Sequence, residues 1–241
     1  MTSRADVCIL ISAGAEWRAL ISHFPRAELS SSPYGNSFQA TIADQNAVFL
    51  HGGWGKVAAA GSTQYAVDHW QPQRLVNLGT CGGFSGQIDR GEVILAERTI
   101  IYDIIEQMTN STSAIDHYAV THHLGWLPDP PPQPVIRGTL LSADQDIMPS
   151  NILELIDKYQ AKAADWESGA IAWVARQNHL PCLILRGVSD VVDNQRGEAY
   201  GNYAFFEEQC RLIMAEFVQH LPAWLEAFRN SDFKKANTGS Q

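Results

Sequence analysis

Apolar and polar positions along this chain alternate with two different periods. Residues 7–12 form a short, β-branched apolar run, which predicts a buried strand. Residues 16–24 then carry apolar side chains at helical spacing, at Trp17, Leu20, Ile21 and Phe24. Residues 38–42 and 47–50 alternate around turn residues 44–46 and predict a hairpin. After the glycine-rich stretch 52–55, residues 56–70 predict a helix whose Ala58, Ala59, Ala60 and Gly61 permit close packing. Further strands are predicted at 74–78, at 92–99 continuing toward Ile105, at 135–142 and at 182–188. Further helices are predicted at 151–161, 165–178 and 203–228. The longest irregular stretch, 107–134, is polar and rich in proline at its end, and reads as a lid or an interface loop. Strands alternate with helices almost throughout, which predicts an α/β layered domain with helices on both faces of a sheet. In such sheets ligands bind beyond the carboxyl ends of the strands, so the site should gather near residues 9–12, 74–78, 139–142 and 182–188.

Composition narrows the function. The chain has 241 residues and a formal net charge of −9. The only short basic pair is Lys234-Lys235, so no clustered basic surface is available to nucleic acid. An anion could still bind through backbone amides. Cys8, Cys81, Cys182 and Cys210 form no CxxC pair, and Cys8 and Cys182, in apolar strand-like runs, read as buried free thiols, which points to a reducing, cytoplasmic setting. No apolar run is long enough for a membrane span, and the apolar start reads as a strand rather than a signal peptide. His117, His122 and His123 have no acidic or cysteine partner at ligand spacing and read as surface histidines, so no metal is expected. The proline-rich stretch could also present a PxxP ligand, a pattern common by chance.

Four local patterns could carry chemistry. The apolar strand 182–188 ends abruptly at Ser189-Asp190. Asp165 and Glu167 bracket Trp166 ahead of a helix rich in small residues. Residues 77–83, Asn-Leu-Gly-Thr-Cys-Gly-Gly, read as a glycine-rich turn after a strand, without dinucleotide or Walker spacing. Residues 52–57, Gly-Gly-Trp-Gly-Lys-Val, form a second glycine-rich turn before a helix. Each has a plain structural reading: Asp190 as a helix N-cap, Asp165 and Glu167 as acids favoured by a helix dipole.

Taken together and in this order, the segments GGWGKVAAA, VNLGTCGGF, LLSADQDI, DWESGAIA and RGVSDVVD resemble the purine nucleoside phosphorylase and nucleosidase superfamily. The branch they look most like is that of 5′-methylthioadenosine/S-adenosylhomocysteine nucleosidases. The resemblance implies a three-layer α/β/α fold with a mixed, twisted central sheet. It implies one nucleoside phosphorylase-like domain over 1–228, followed by a polar tail, 229–241, expected to be disordered. By the same resemblance, Asp190 matches the acid that protonates purine N7, and Glu167 matches the residue that binds the ribose hydroxyls. Trp166 matches an apolar residue lying along the nucleoside. Thr80 and Gly82 fall in the turn facing the nucleophile and the ribose. Trp54 lies near the sugar's 5′ side, and Ile147 matches the residue whose backbone meets the base edge. Ser189 beside Asp190, and Phe206 from the last helix, complete the expected substrate contacts; Tyr203 and Phe205 are further candidates for the 5′ pocket. Asp146 stands where nucleosidases place a base-stacking phenylalanine.

The chemistry suits these residue types. A purine leaves poorly as an anion, and a positioned acid that protonates it contributes typically ~10²–10⁴-fold. The sugar becomes oxocarbenium-like, which a carboxylate beneath it favours. The nucleophile divides the family. Where the hexameric phosphorylases carry a phosphate-binding arginine this chain has the neutral Asn77, which favours water. Gly14 and Arg18 keep a phosphorylase spacing and are candidates for a phosphate or nucleophile site. Glu16 is the candidate for activating water, although the alignment sets Trp17 in the expected slot. Hydrolysis of a purine nucleoside is therefore the leading expectation. Phosphorolysis and nucleoside binding without turnover are the alternatives. No cofactor is implied, and a homodimer or higher homo-oligomer is expected.

Overall fold

All five residues of the first strand, β1 (Val7–Ile11), are buried. A strand apolar on both faces belongs inside a sheet covered by helices on either side. The computed structural model describes residues 4–229. After β1 come α1 (Gly14–Ile21), β2 (Ser30–Ser31), β3 (Asn36–Ile42), β4 (Gln45–His51), α2 (Gly55–Trp70), β5 (Arg74–Phe84) and β6 (Val93–Ile101). The chain continues through α3 (Ser111–Tyr118), β7 (Val120–Thr121), β8 (Ile136–Ser142), α4 (Ile152–Tyr159), β9 (Ala161–Asp165), α5 (Ser168–Gln177), β10 (Cys182–Val192) and α6 (Tyr203–Arg229).

The strands form one mixed sheet. β1 runs parallel to β4 and β5, and β8 runs parallel to β6 and β9. The β3–β4, β6–β10 and β5–β9 pairs are antiparallel. The long strand β5 is a fork. One edge pairs with β10 along its length; the other pairs with β1 at Arg74–Asn77 and with β9 at Gly82 and Gly83. Through β9, β8, β6 and β10 the sheet closes on itself, while β1, β4, β3 and β2 extend as an open wing. Helices α1 and α6 cover one face, where Val7, Ile9 and Ile11 pack with Trp17, Leu20, Phe217 and Trp224. Helices α2 and α5 cover the other, where Cys8 and Leu10 pack with Ala59, Ala66, Ile171 and Ala175. This is the mixed three-layer α/β architecture expected from the resemblance. Among the described residues no helix is long and apolar enough to cross a membrane.

Several boundaries differ from the sequence reading. Residues 79–84 do not form a turn but continue β5, and Ser189 and Asp190 lie inside β10 rather than capping a helix. The glycines there serve close approach. A Cβ on Gly79 would lie 2.2 Å from Arg186 Nη1, and one on Gly83 would lie 2.8 Å from Val188 Cγ1. The helix expected over 151–161 stops at Tyr159, and Ala161–Asp165 is a strand. Its Ala-Lys-Ala-Ala-Asp sequence has little intrinsic strand preference; pairing with β8 and β5 decides its conformation. The helix expected from 165 begins at Ser168 instead. The hairpin turn is Ala43-Asp44, both at positive φ (48° and 58°), one residue earlier than expected. Alanine at such a position sends no turn signal. The irregular stretch contains α3 and β7; α3 buries only Ile115, so its pattern is faint. The expected tail lies outside the described residues except Arg229, which closes α6.

Candidate active site

The fork in β5 opens a cavity of about 760 Å³ between the ends of β1, β5, β9 and β10. Its walls include Ala13, Gly14 and Glu16 from the start of α1, Trp54 from the glycine loop, and Thr80, Cys81 and Gly82 from β5. Residues 145–147, 164–167, Ser189, Asp190 and 199–203 complete it, with Phe206 from α6. The resemblance-derived candidates Gly14, Glu16, Trp54, Thr80, Gly82, Ile147, Trp166, Glu167, Ser189, Asp190 and Phe206 thus share one cavity. Arg18 does not line it. Its guanidinium stands beside Gly14 and bonds Glu207 at 2.5 Å and the Tyr203 hydroxyl at 3.3 Å, largely exposed. Trp17 turns into the core, stacked on His51 and packed against Phe38.

One end of the cavity holds a buried cluster of charge. Glu16, the third residue of α1, reaches back to accept the N-cap Ala13 N–H at 3.0 Å. Its other carboxylate oxygen accepts the Thr80 N–H at 2.6 Å and the Thr80 hydroxyl at 2.8 Å. Asp165, at the end of β9, accepts the Ser142 hydroxyl at 2.6 Å, the Ser168 hydroxyl, and the backbone N–H groups of Glu167 and Ser168. Glu167 accepts the Gly55 N–H at 3.1 Å. Arg186 lies among these three acids and is fully buried. Its Nε is 2.9 Å from Asp165, its Nη2 3.4 Å from Glu167 and its Nη1 3.6 Å from Glu16. It also donates to the Ser168 hydroxyl and to the Thr80 carbonyl.

One guanidinium is shared among three acids, which differ in how many hydrogen bonds each accepts. Glu167 accepts the fewest. Burial drives its carboxyl above the usual carboxylate range, helped by the charges of Asp165 and Glu16 and opposed by Arg186 and the Gly55 N–H. The glycine loop is held from below. The Lys56 ammonium is bonded to the Asp103 carboxylate, and the Lys56 N–H donates to Asp144 at 2.8 Å.

Asp190 stands at the other end, opposite Gly82 in the β5–β10 register. It is 6% exposed, and the Ser189 hydroxyl donates to it at 2.7 Å. Burial raises its pKa, the Ser189 hydroxyl and Ala199 N–H oppose the shift, and the charges of Glu198 and Asp146 add to it. Trp54 and Trp166 flank the Glu167 side, their rings stacked at 4.8 Å and 22°. A cavity with a buried acid of raised pKa at one end and a hydrogen-bonded cluster of acids at the other suits cleavage of a bond between a basic leaving group and a polyhydroxylated carbon centre.

The sequence reading missed Arg186 and the cavity-wall role of Asp165. An arginine inside the apolar run Leu183–Val188 was the available signal, because a buried arginine requires acidic partners. Asn77 is also buried; it donates to the Leu10 carbonyl at 3.0 Å, and its Oδ1 lies 2.9 Å from the Ser168 hydroxyl oxygen.

The fold and this cavity define a nucleoside phosphorylase-like protein, and comparison with known sequences agrees. The profile of the phosphorylase superfamily matches residues 6–222, and the chain belongs to that superfamily. It is similar to the 5′-methylthioadenosine/S-adenosylhomocysteine nucleosidase of Bacillus cereus (strain B4264), with 22% identity over 235 residues, 88% of this chain and 96% of that one. Among solved structures it is similar to the Streptococcus pneumoniae MTA/SAH nucleosidase in complex with 8-aminoadenine (TM-score 0.74, 21% identity, 92% and 99% of the two chains). The futalosine hydrolase of Helicobacter pylori strain 26695 is also similar (TM-score 0.74, 16% identity, 91% and 97%). At these identities the structural likenesses establish the fold.

Proposed function

We propose that the chain hydrolyses the N-glycosidic bond of a purine nucleoside of the methylthioadenosine/S-adenosylhomocysteine type. The observation that carries this reading is the pairing, across one cavity, of the buried acid Asp190 with the Glu16–Glu167–Arg186 cluster. In the proposed step the Asp190 proton goes to purine N7 as the C1′–N9 bond breaks, so the base leaves neutral. Glu167 holds the ribose hydroxyls and favours the developing positive charge on the sugar. Water attacks C1′; its oxygen forms the new bond, and its proton passes to Glu16. Thr80 and Arg186 orient Glu16, so its carboxylate is fixed before substrate arrives.

Water is favoured over phosphate by charge. Among the described residues no lysine or arginine lines the cavity. Arg18 is held by Glu207, and the Asn77 side chain is taken up by backbone and Ser168. A dianionic phosphate would meet Glu16 and Glu167 with only the already-paired Arg186 to offset it. The exposed apolar side chains of Trp54, Val57, Ile105 and Met108 support the proposal of a homodimer or higher homo-oligomer.

The test is to incubate the protein with methylthioadenosine, S-adenosylhomocysteine, adenosine and inosine, with and without phosphate, and to separate free base and sugar. Equal base release in both buffers with free sugar supports hydrolysis. Release only with phosphate, giving sugar 1-phosphate, replaces it with phosphorolysis. Binding without release from any substrate refutes turnover.

A further inference from the structure

The base end of the cavity contains a contact that the proposed chemistry does not use. The Tyr200 hydroxyl donates to the backbone carbonyl of Ile147 at 2.5 Å, and both residues line the cavity. Ile147 sits against Gly82, where a Cβ would come within 2.6 Å of Ile147 Cδ1, and Gly82 registers with Asp190. The Ile147 carbonyl, Tyr200 and Asp190 therefore belong to the same end. Asp146 lies there too, and its charge and that of Asp190 both act on the Tyr200 hydroxyl.

This end offers acceptors. They are the Ile147 carbonyl and the Asp146 carboxylate, and the Ser189 hydroxyl is already given to Asp190. A carbonyl that is nearly buried needs a donor, and in the free protein Tyr200 supplies it. Tyr200 is lightly held. It is 42% exposed, its ring lies over Gly197, and it precedes Gly201 at φ +74°. The hydroxyl can leave without breaking a core contact.

We propose that Tyr200 is a specificity-determining residue, standing in on the Ile147 carbonyl for the exocyclic N–H donor of an amino-bearing heteroaromatic base. This rests on the nucleoside reading above. An amino group can replace the Tyr200 hydroxyl bond for bond. An oxo group would set a further acceptor against the carbonyl and leaves Tyr200 in place. Tyr200 thus competes with amino bases and is indifferent to oxo bases.

The test is Tyr200→Phe, which keeps the ring on Gly197 and removes the competing donor; a thermal melt checks that it folds as the parent does. Binding of free adenine and free hypoxanthine is measured by calorimetry, and kcat/KM on adenosine and inosine by base release. The expected result is that the variant gains about three- to tenfold for the amino compounds, the size of one exchanged hydrogen bond, with the oxo compounds changed less than about twofold. An equal gain for both classes, or no gain or a loss for the amino class, overturns the assignment of Tyr200. If the unaltered protein neither binds the bases nor cleaves the nucleosides, the nucleoside reading itself falls, and this assignment with it. Cleavage of nucleosides with a Tyr200→Phe ratio matching the parent refutes only the Tyr200 proposal.

Discussion

Arg186→Met is the substitution whose consequence the structure fixes best. The methionine keeps much of the arginine stem's volume but removes the cation that, alone among the described residues, is bonded to Glu16, Asp165 and Glu167. Arg186 has no exposed surface. Removing one partner of a buried ion pair costs about 3–5 kcal/mol, because the remaining charge is left uncompensated. In a chain of this length that corresponds to a loss of roughly 6–20 °C in Tm. The loss should depend on pH. Arg186 holds the Glu167 pKa down, so removing it raises that pKa further in the folded state. A carboxyl raised in the folded state leaves stability intact below its unfolded value, about 4.3. It takes stability away as pH climbs through the raised value. The part of the deficit that runs through Glu167 should therefore be absent near pH 6 and grow only above the parent's raised value, about 8, so that the total is larger near pH 9.5. Urea unfolding followed by circular dichroism at both pH values measures it. A deficit below about 1 kcal/mol at pH 9.5, or one that does not grow between pH 6 and pH 9.5, would refute the account of Arg186 as the counter-ion of this cluster.

Asp190→Asn should lower kcat for base release about 10²–10⁴-fold with little change in KM, since the amide keeps the shape but delivers no proton. In the parent, kcat should fall as pH rises through the raised Asp190 pKa, and that alkaline limb should be missing from the residual activity of the variant. Glu167→Gln should flatten the dependence of folding stability on pH, since it removes the carboxyl that burial raises most clearly; an unchanged slope in urea titrations at pH 5 and 8 counts against it. Trp224→Ala should cost about 3–5 kcal/mol of stability, because the indole is 1% exposed and its Nε1 donates to Gln133 at 2.9 Å. Glu207→Ala should leave the melting temperature within experimental scatter, because the Arg18–Glu207 pair is exposed on both sides.

The layers of the fold were legible because they rest on periodicity. The apolar run of β1, the amphipathic spacing of α6 and the small-residue face of α2 each announce themselves over several residues. What stayed hidden depends on pairing between distant segments. Nothing in Ala161–Asp165 prefers a strand; it becomes one because β8 and β5 present unpaired edges on either side. Glycines 79, 82 and 83 look like a turn to any local rule, and they extend a strand because Arg186, Ile147 and Val188 fill the space their side chains would need.

The same distinction governs the site. Asp190, Glu167 and Glu16 could be named because they sit in segments that resemble a family, whereas Arg186 was visible only as an arginine in an apolar strand. Yet Arg186 links the three acids. Without it, Glu16, Asp165 and Glu167 would be acids crowded into a buried space with no counter-charge. With it, Asp165 is saturated by hydroxyl and backbone donors, Glu16 is fixed on Thr80, and Glu167 is left the least satisfied of the three. All three line the cavity, and Glu167 is the one with acceptor capacity left for the hydroxyl donors of the proposed sugar. The hydrogen-bonding needs of two buried acids are met and those of the third are left open, which is the pattern the proposed ribose contact of Glu167 requires.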